Sequence, residues 1–509
     1  MILESILHDH SPVPSKVMKD LIAGGTFLET IAKAPYHLEA FAALANAQQR
    51  YSSETREVVA DAFERQNSNL SAAEEASLKA FRDGALTITT GHQLMVCGGT
   101  VFFEAKVLGA IALAKEVSKA LSKHVVPVFW MATEDHDFDE IASFRIGEYQ
   151  FTWNKPESKG PVGNLSTHDL ADQLSSWLEK VPLNNAQKKL IQPRLQAYRE
   201  CENLAEATRQ WVRQWAEGLG LLVLDGQDVL LKDQAGPLWT AEMEGQYAKL
   251  IQEQTAALVK QGYKAQVFPR HINLFDLRDG DRKRIEQPQQ EYSYSNISPN
   301  ALMRPLYQEW LLPNLAYVGG GGELAYWLQL GSTFEKLGRP MPLLYLRNSL
   351  LIQNKRLTND LAKLNLTLSD LLATNAESIK QAVLGKDTVL QAEGELLQAP
   401  LMDAIDQWNN SLLERYPELH RHADALKAKM KKLVQRTSET RYRVQKRRSE
   451  EFMTSVDRAR NAVYPGNVFW ERRASYMDVV GILGQDPRDE LVEKMSTIKA
   501  GTIVIHPDF

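Results

Sequence analysis

The chain has 509 residues, 44% of them hydrophobic and 24% charged, with a formal net charge of −5. That length allows about three units of ~150 residues, and the weak negative charge excludes a general nucleic-acid binder, which needs a basic field. Two cysteines, Cys97 and Cys201, exclude a disulfide framework and a four-cysteine zinc site. They agree with a reducing, cytoplasmic setting. Residues 1–10 contain Glu4, His8, Asp9 and His10 and predict neither a signal peptide nor a span, and no run of about 18 apolar residues predicts membrane insertion anywhere else.

In chain order, 15–81 reads as alanine-rich helices, the last opened by the capping-box pattern Ser71-Ala72-Ala73-Glu74. Leu86-Thr87-Ile88-Thr89 is a strand that ends in the polar cluster Thr90-Gly91-His92-Gln93. Gly98-Gly99 leaves room for close backbone approach. An amphipathic helix follows over 102–121, with Val107, Ala110, Ile111, Ala114, Val117 and Leu121 on one stripe. A second strand, 125–131, runs into Thr133-Glu134-Asp135-His136-Asp137-Phe138-Asp139-Glu140. A right-handed strand–helix–strand crossover brings both polar clusters to one sheet edge, where open α/β folds bind ligands.

From 144 to 300 the pattern changes to core sheet mixed with an inserted β-containing lobe. Residues 204–218, with Trp211 and Trp215, predict a helix packed on the buried strand 221–225, and 239–262 predicts a helix that stops at glycine. Segments 272–277 and 283–285 flank Asp279-Gly280, a hairpin turn. A second strand–helix–strand unit then appears: Ala316-Tyr317-Val318, the four glycines 319–322, a helix over 323–337, and a strand over 341–346 with Arg347 at its end. The region 371–462 is helical and charged. Leu426, Met430, Leu433 and Thr437 fall at 4-3-4 spacing, the pattern of an antiparallel coiled-coil hairpin reversing at Tyr416-Pro417. The basic run 441–448 reads as a solvated helix face. The predicted organisation is N-terminal helices and the first half of the core over 1–150, continuation with the inserted lobe over 151–300, and the second half over 301–357. A helical coiled-coil domain over 358–463 and a C-terminal segment over 464–509 complete it.

Several residues could carry chemistry. His92, after a strand and before a helix, is placed to donate to a phosphate or oxyanion; read alone, it could equally be a loop histidine. Glu134, Asp135, His136 and Asp137 are dense enough to perturb one another's protonation. They suit acid–base work on an amine, capture of an ammonium, or Mg²⁺ held with a nucleotide; one or two of them could instead cap the next turn. The 319–322 glycines permit a bare backbone facing a ligand, though they form neither G-x-G-x-x-G nor a Walker loop. Glu323 sits where a helix N-terminus favours a carboxylate, and Lys106, Arg304 and Arg347 are candidates for anion contacts. Cys97 lacks a setting that would lower its pKa.

These motifs, taken together, resemble the BshC family of bacillithiol biosynthesis, the cysteine ligases that act on glucosaminyl-malate. The resemblance rests on Thr90-Gly91-His92-Gln93, Pro127-Val128-Phe129-Trp130 running into Glu134-Asp135-His136-Asp137, Leu302-Met303-Arg304-Pro305-Leu306-Tyr307-Gln308, Tyr317-Val318-Gly319-Gly320 through Glu323-Leu324-Ala325-Tyr326, Met341-Pro342, and Tyr464-Pro465-Gly466 with Glu471-Arg472. It covers about 85 to 475. It implies an α/β fold with a Rossmann-like parallel sheet related to class I synthetases, connective insertions, and a long coiled-coil domain that makes a homodimer. It further implies an amide bond between the cysteine carboxyl and the glucosamine amine. Two departures stand out: Leu94-Met95-Val96-Cys97-Gly98-Gly99 where the family is glycine-rich with a Gly-Pro, and four consecutive glycines where Gly-Pro-Gly is common. Zinc ligands of the kind synthetase relatives use to select cysteine have no evident counterpart.

The expected function is therefore a cytoplasmic amide-forming ligase, with cysteine and glucosaminyl-malate as substrates and a nucleotide (ATP or ADP) as cofactor, and with no metal assigned. His92, Glu134, Asp135 and His136 are the expected catalytic residues. Gly91, Gln93, Lys106, Asp137, Arg304, Gly320, Gly321, Glu323, Tyr326 and Arg347 are the expected substrate contacts, the arginines facing the malate carboxylates. The rivals are a nucleotidyl- or acyl-transferase acting on another amine, and a coiled-coil dimer scaffold with a degenerate core.

Overall fold

The computed structural model describes residues 1–8, 14–25, 27–48, 51–155, 160–278, 280–288, 292–374, 378–379, 399–495 and 499–507. Asp9, His10 and Asp279 of the preceding paragraphs lie outside them. The chain divides into two compact units, Met1–Ile352 with Trp470–Phe509, and Gln353–Phe469.

In the larger unit the strands in chain order are β1 (Ile2–Leu7), β2 (Leu86–His92), β3 (Val125–Met131), β4 (Ser143–Ile146), β5 (Tyr149–Thr152), β6 (Leu222–Asp225), β7 (Leu274–Asp276), β8 (Lys283–Arg284), β9 (Ile297–Pro299), β10 (Asn314–Gly319), β11 (Leu343–Leu346), β12 (Ser349–Ile352) and β13 (Gly501–His506). Five of them form one parallel sheet in the order β11-β10-β2-β3-β6. From β2 the chain winds one way through β3 to β6; from β10 it winds the other way to β11. The strand order therefore reverses between β2 and β10, the point where doubly wound sheets open a crevice beyond their carboxyl ends. Strands β3, β6, β10 and β11 are buried along their whole length and β2 along all but its first residue. That follows from helices covering both faces, and it explains why these segments read as unbroken apolar or threonine-rich runs.

The β2–β3 crossover helix, Phe102–Leu121, is less amphipathic than its stripe predicts. Every residue from Phe103 to Ala114 is buried, because β2 and β3 pack on one side and the Arg488–Met495 helix and the Leu38–Ala47 helix close the others. Two ionisable residues, Glu104 and Lys106, are buried with it and need partners. The expected helix over 239–262 is broken into Gly236–Met243 and Ala248–Lys260, with Gly245 at φ +73° ending the first piece. The expected helix over 323–337 is likewise broken into Gly321–Trp327 and Gly331–Leu337.

The chain's first segment, which carried no strand signal, is β1. It pairs antiparallel with β13, which in turn pairs parallel with β12. The inserted lobe contains the β8-β7-β9 antiparallel sheet, with Phe275 opposite Arg284 and Asp276 opposite Lys283, the register the hairpin reading predicts.

The smaller unit contains helices at Lys355–Leu364, Leu368–Ala373, 399–415 and His420–Val463. The last two fold back on each other about Tyr416-Pro417: Lys427 pairs with Asp406, and Asn409 Nδ2 donates to the Ala423 carbonyl. Leu426 and Met430 of the expected seam are half-buried in the single chain, while Leu433 is 50% exposed.

Candidate active site

Beyond the carboxyl ends of β2, β3 and β10 lies a cavity of about 830 Å³, within the range of small-molecule sites. Its floor is the β2/β10 switch point. Lys106, from the helix after β2, and Glu323, from the first turn of the helix after β10, form an ion pair across it. Lys106 also donates to the Gly91 carbonyl (3.1 Å), and Glu323 accepts from the Gly320 N–H (2.9 Å) and the Tyr317 hydroxyl (3.0 Å). Burial alone would drive the Glu323 pKa up. Lys106, Arg304 and these donors outweigh it and hold the carboxyl at about 2. Lys106 is pulled below its ordinary range by burial, against the opposing pull of Glu323.

Arg304, on the Met303–Leu311 helix, uses Nη2 on the Tyr326 hydroxyl. Its Nη1 is buried with no hydrogen-bond partner beside Gly91. An orphaned guanidinium N–H in a closed floor fits an anionic oxygen of a ligand, so the residues present suit a phosphate or carboxylate here.

His92 lines the cavity, packed against Phe102 and Phe103. Its Nδ1 contacts the Gln93 carbonyl at 2.9 Å. A carbonyl only accepts, so Nδ1 carries the hydrogen and Nε2 the lone pair. Burial, reinforced by Lys106, lowers its pKa to about 3. The neutral ring presents an acceptor, whereas the sequence reading gave it a donor's task toward a phosphate or oxyanion.

The acidic-histidine cluster is dispersed by the fold. Glu134 is partly buried in an ion pair with Lys232 and lines the cavity; burial raises its pKa while Lys232 lowers it. Asp135 lines the cavity at its rim, 3.4 Å from Gln93 Nε2 and 3.8 Å from Arg282. His136 is exposed and outside the cavity lining, accepting at Nδ1 from Arg282 (3.1 Å). Asp137 caps the short Phe138–Ile141 helix by accepting from the Glu140 N–H (3.3 Å), the turn-capping alternative. Asp135 and His136 thus face the Arg282 guanidinium, Glu134 faces Lys232 and Asp137 its own turn, so the four do not converge on one ion. Among the described residues no group of three or more His, Cys, Asp or Glu is arranged to hold a metal.

Gly91, Gln93 and Tyr326 line the cavity; Gly320 and Gly321 do not. Gly320 spends its N–H on Glu323, and a Cβ on Gly321 would meet Met18 at 3.3 Å, so this turn is small for packing. Arg347 is likewise outside the lining. Its two terminal guanidinium nitrogens are committed to Glu471 (2.9 and 2.7 Å) and the Asn348 carbonyl, so they do not face a substrate carboxylate in the cavity. Cys97 is buried and its thiol is pushed up to about 12 by burial, so it is no nucleophile.

The sequence reading missed the opposite wall. Arg270, Arg282 and Arg284, with Phe268 and Phe275, come from the inserted lobe, and Lys232 and Tyr307 from the core helices; all but Lys232 line the cavity. The available signal was four arginines within 270–284 next to a hairpin, which reads equally as surface charge until the lobe is folded over the sheet.

The profile described as "Bacillithiol biosynthesis BshC, N-terminal Rossmann-like domain" matches residues 1–296 and 294–348. The chain belongs to the BshC family. A BshC relative from Flavobacterium johnsoniae, named "Putative cysteine ligase BshC", is 32% identical over 99% of this chain and 100% of its own length. Relatives of the same name from Flavobacterium psychrophilum (31%, 87% of this chain and 86% of the relative) and Salinibacter ruber (26%, 82% of each) align similarly. The chain is accordingly a ligase of bacillithiol biosynthesis with a Rossmann-like core. Among the described residues no helix is long and apolar enough to cross a membrane.

Proposed function

We propose that this BshC protein joins the carboxyl of L-cysteine to the glucosamine amine of glucosaminyl-malate, completing bacillithiol in the cytoplasm. The observation that carries the reading is the composition of the crevice. An arginine-rich wall (Arg270, Arg282, Arg284) suits a dicarboxylate, and the rim carboxylate Asp135, which lies beside Arg282, suits an ammonium.

Amide formation needs the cysteine carboxyl oxygen turned into a leaving group, which a bound nucleoside triphosphate supplies. Arg304 Nη1, at the floor, would take the negative oxygen of that activated group, with Lys106 adding positive field from below. Asp135 orients the substrate ammonium and takes its proton. His92 Nε2 accepts a hydrogen bond from the amine as it attacks the cysteine carbonyl; the C–N bond forms, the activated C–O bond breaks with its electron pair leaving on the displaced oxygen, and the second amine proton passes to solvent. The malate carboxylates face Arg270 and Arg284. The 399–463 hairpin is proposed as the homodimer contact, supported by Trp408 and Leu433, both about half exposed on the single chain.

The test is mass spectrometry of small thiols in cells with and without the gene, joined to turnover of the purified chain with ATP, cysteine and glucosaminyl-malate. Loss of bacillithiol with accumulation of glucosaminyl-malate, and amide product in vitro, is the expected result. Persistence of the thiol removes the ligase step from this chain and points to another amine as substrate.

A further inference from the structure

The segment 262–273 links the Ala248–Lys260 helix to β7, and within it residues 267–270 are held at both ends by buried side-chain amides. Gln329, 1% exposed, accepts from the Val267 N–H (3.2 Å) and donates to the Val267 carbonyl (2.8 Å); its second N–H goes to Thr255 (2.8 Å). Asn273, also 1% exposed, accepts from the Arg270 N–H and donates to the Arg270 carbonyl (both 3.1 Å). Its other N–H goes to Glu242 (3.0 Å), and its oxygen takes a further N–H from Asn300 (3.0 Å). Each amide pairs with one residue's N–H and C=O as a strand neighbour would, and its remaining N–H anchors it to Thr255 or Glu242. The backbone between the clamps is therefore fixed without belonging to a sheet.

That fixed backbone presents Phe268 at 80% exposure, more than any other large apolar side chain among the described residues. Pro269 after it biases Phe268 to an extended conformation. In an extended segment residues i and i+2 share a side, and Phe268 and Arg270 both line the crevice. An isolated exposed phenylalanine is unremarkable; one whose backbone is pinned by two buried amides at the mouth of a polar cavity is built for contact with what enters.

We propose that residues 267–270 form a preformed platform on which the pyranose ring of the substrate lies, its C–H face on the Phe268 ring and its malate carboxylate at Arg270. This rests on the ligase reading above, which brings a glucosaminyl conjugate into the crevice. Fixing the ring beforehand removes the ordering cost that a mobile loop would carry on binding, and an aromatic platform offers a large apolar contact with few rotatable bonds.

Calorimetry with glucosaminyl-malate and with malate alone tests it, on wild type, Phe268→Ala, Phe268→Trp and Gln329→Ala, with KM values for cysteine and ATP alongside. Phe268→Ala is expected to weaken the conjugate about tenfold while leaving malate alone, cysteine and ATP within about twofold. Phe268→Trp restores binding, and Gln329→Ala weakens the conjugate with the phenyl ring still present. Unchanged conjugate affinity in Phe268→Ala overturns the platform and leaves the ligase reading standing. So does an equal loss for malate alone, or a rise confined to the KM of ATP or cysteine. A wild-type protein that neither binds the conjugate nor forms amide product removes the ligase reading, and the platform with it.

Discussion

Lys106 and Glu323 show how a buried charge pair becomes a functional floor. Each would be costly alone in this setting, and each is retained because the other is within reach. Lys106→Met leaves Glu323, a quarter exposed and still hydrogen-bonded by Gly320 and Tyr317, without its ion-pair partner, and is expected to lower unfolding free energy by about 1–3 kcal/mol and abolish turnover. Adding Glu323→Leu should recover much of the stability in denaturant melts but none of the activity, which separates a packing role from a catalytic one. His92 makes a different prediction. Because burial holds it neutral, with a pKa of about 3, it does not titrate between pH 5 and 8. His92→Asn should cut kcat by about 10²-fold or more yet leave the shape of the pH–rate profile in that window unchanged. A shifted limb in that variant would assign His92 the titration instead.

The Met303–Leu311 helix is positioned by its own entry. Asn300 Oδ1 accepts from the N–H groups of Leu302 and Met303 (2.8 and 3.0 Å), and its amide donates to Asn273. One side chain thus joins the clamp behind Arg270 to the start of the helix that carries Arg304. Asn300→Ala is expected to cost about 1 kcal/mol as a lost cap. Since Arg304 lies in the first turn, the same change should raise the KM of the anionic substrates with little change in the melting of the rest of the chain. The helix after β10 obeys the same logic with a glycine: Gly320 gives its N–H to Glu323, so the turn's task is to seat that carboxylate.

Across the whole molecule, buried carboxyls with raised pKa values, Glu104 at about 7 among them, shape the pH dependence of stability, and two of them, Glu242 and Glu309, have no ion-pair partner among the described residues. Burial raises Glu242 to about 7 and Glu309 to about 8, each partly opposed by amide N–H donors. The unfolded chain releases these protons near 4.5, so between about pH 4.5 and 8 the folded state holds more protons and stability falls as pH rises. Glu323, at about 2, acts in the opposite sense: its contribution is present above 4.5 and is lost as pH falls from there toward 2. Thermal unfolding should therefore show a maximum near pH 5 and a clear decline by pH 8.5. Glu309→Gln, which keeps an acceptor for Asn314 and Gln308, should flatten that decline; an unchanged slope would mean the burial of Glu309 is relieved in solution. The exposed Leu433 gives the dimer proposal its own test, since Leu433→Glu should halve the mass seen by light scattering without changing the melting of the larger unit.

The central strands, the crossover helices and the hairpin of the inserted lobe were legible along the chain, because hydrophobic period and turn chemistry are local properties. So were Gly91, His92, Gln93 and Asp135 as neighbours of one sheet edge, since strand–helix–strand handedness follows from the chirality of the backbone; Arg304 was legible only as a candidate anion contact and Tyr326 only through the family resemblance. The pairing of β1 with β13 was not legible, as its two halves lie at opposite ends of the chain and neither alternates strongly. Asp137's cap on the next turn was a local alternative the sequence already offered, whereas the fates of His136 and Arg347 were decided only in three dimensions. Arg282 and the buried Glu471, both distant in sequence, claimed them, and a polar side chain goes to whichever partner the fold brings within about 3 Å. For the same reason the arginine wall and Phe268 became a site only when the inserted lobe closed over the sheet. Local sequence sets which residues stand at a strand's end; long-range packing sets what they face.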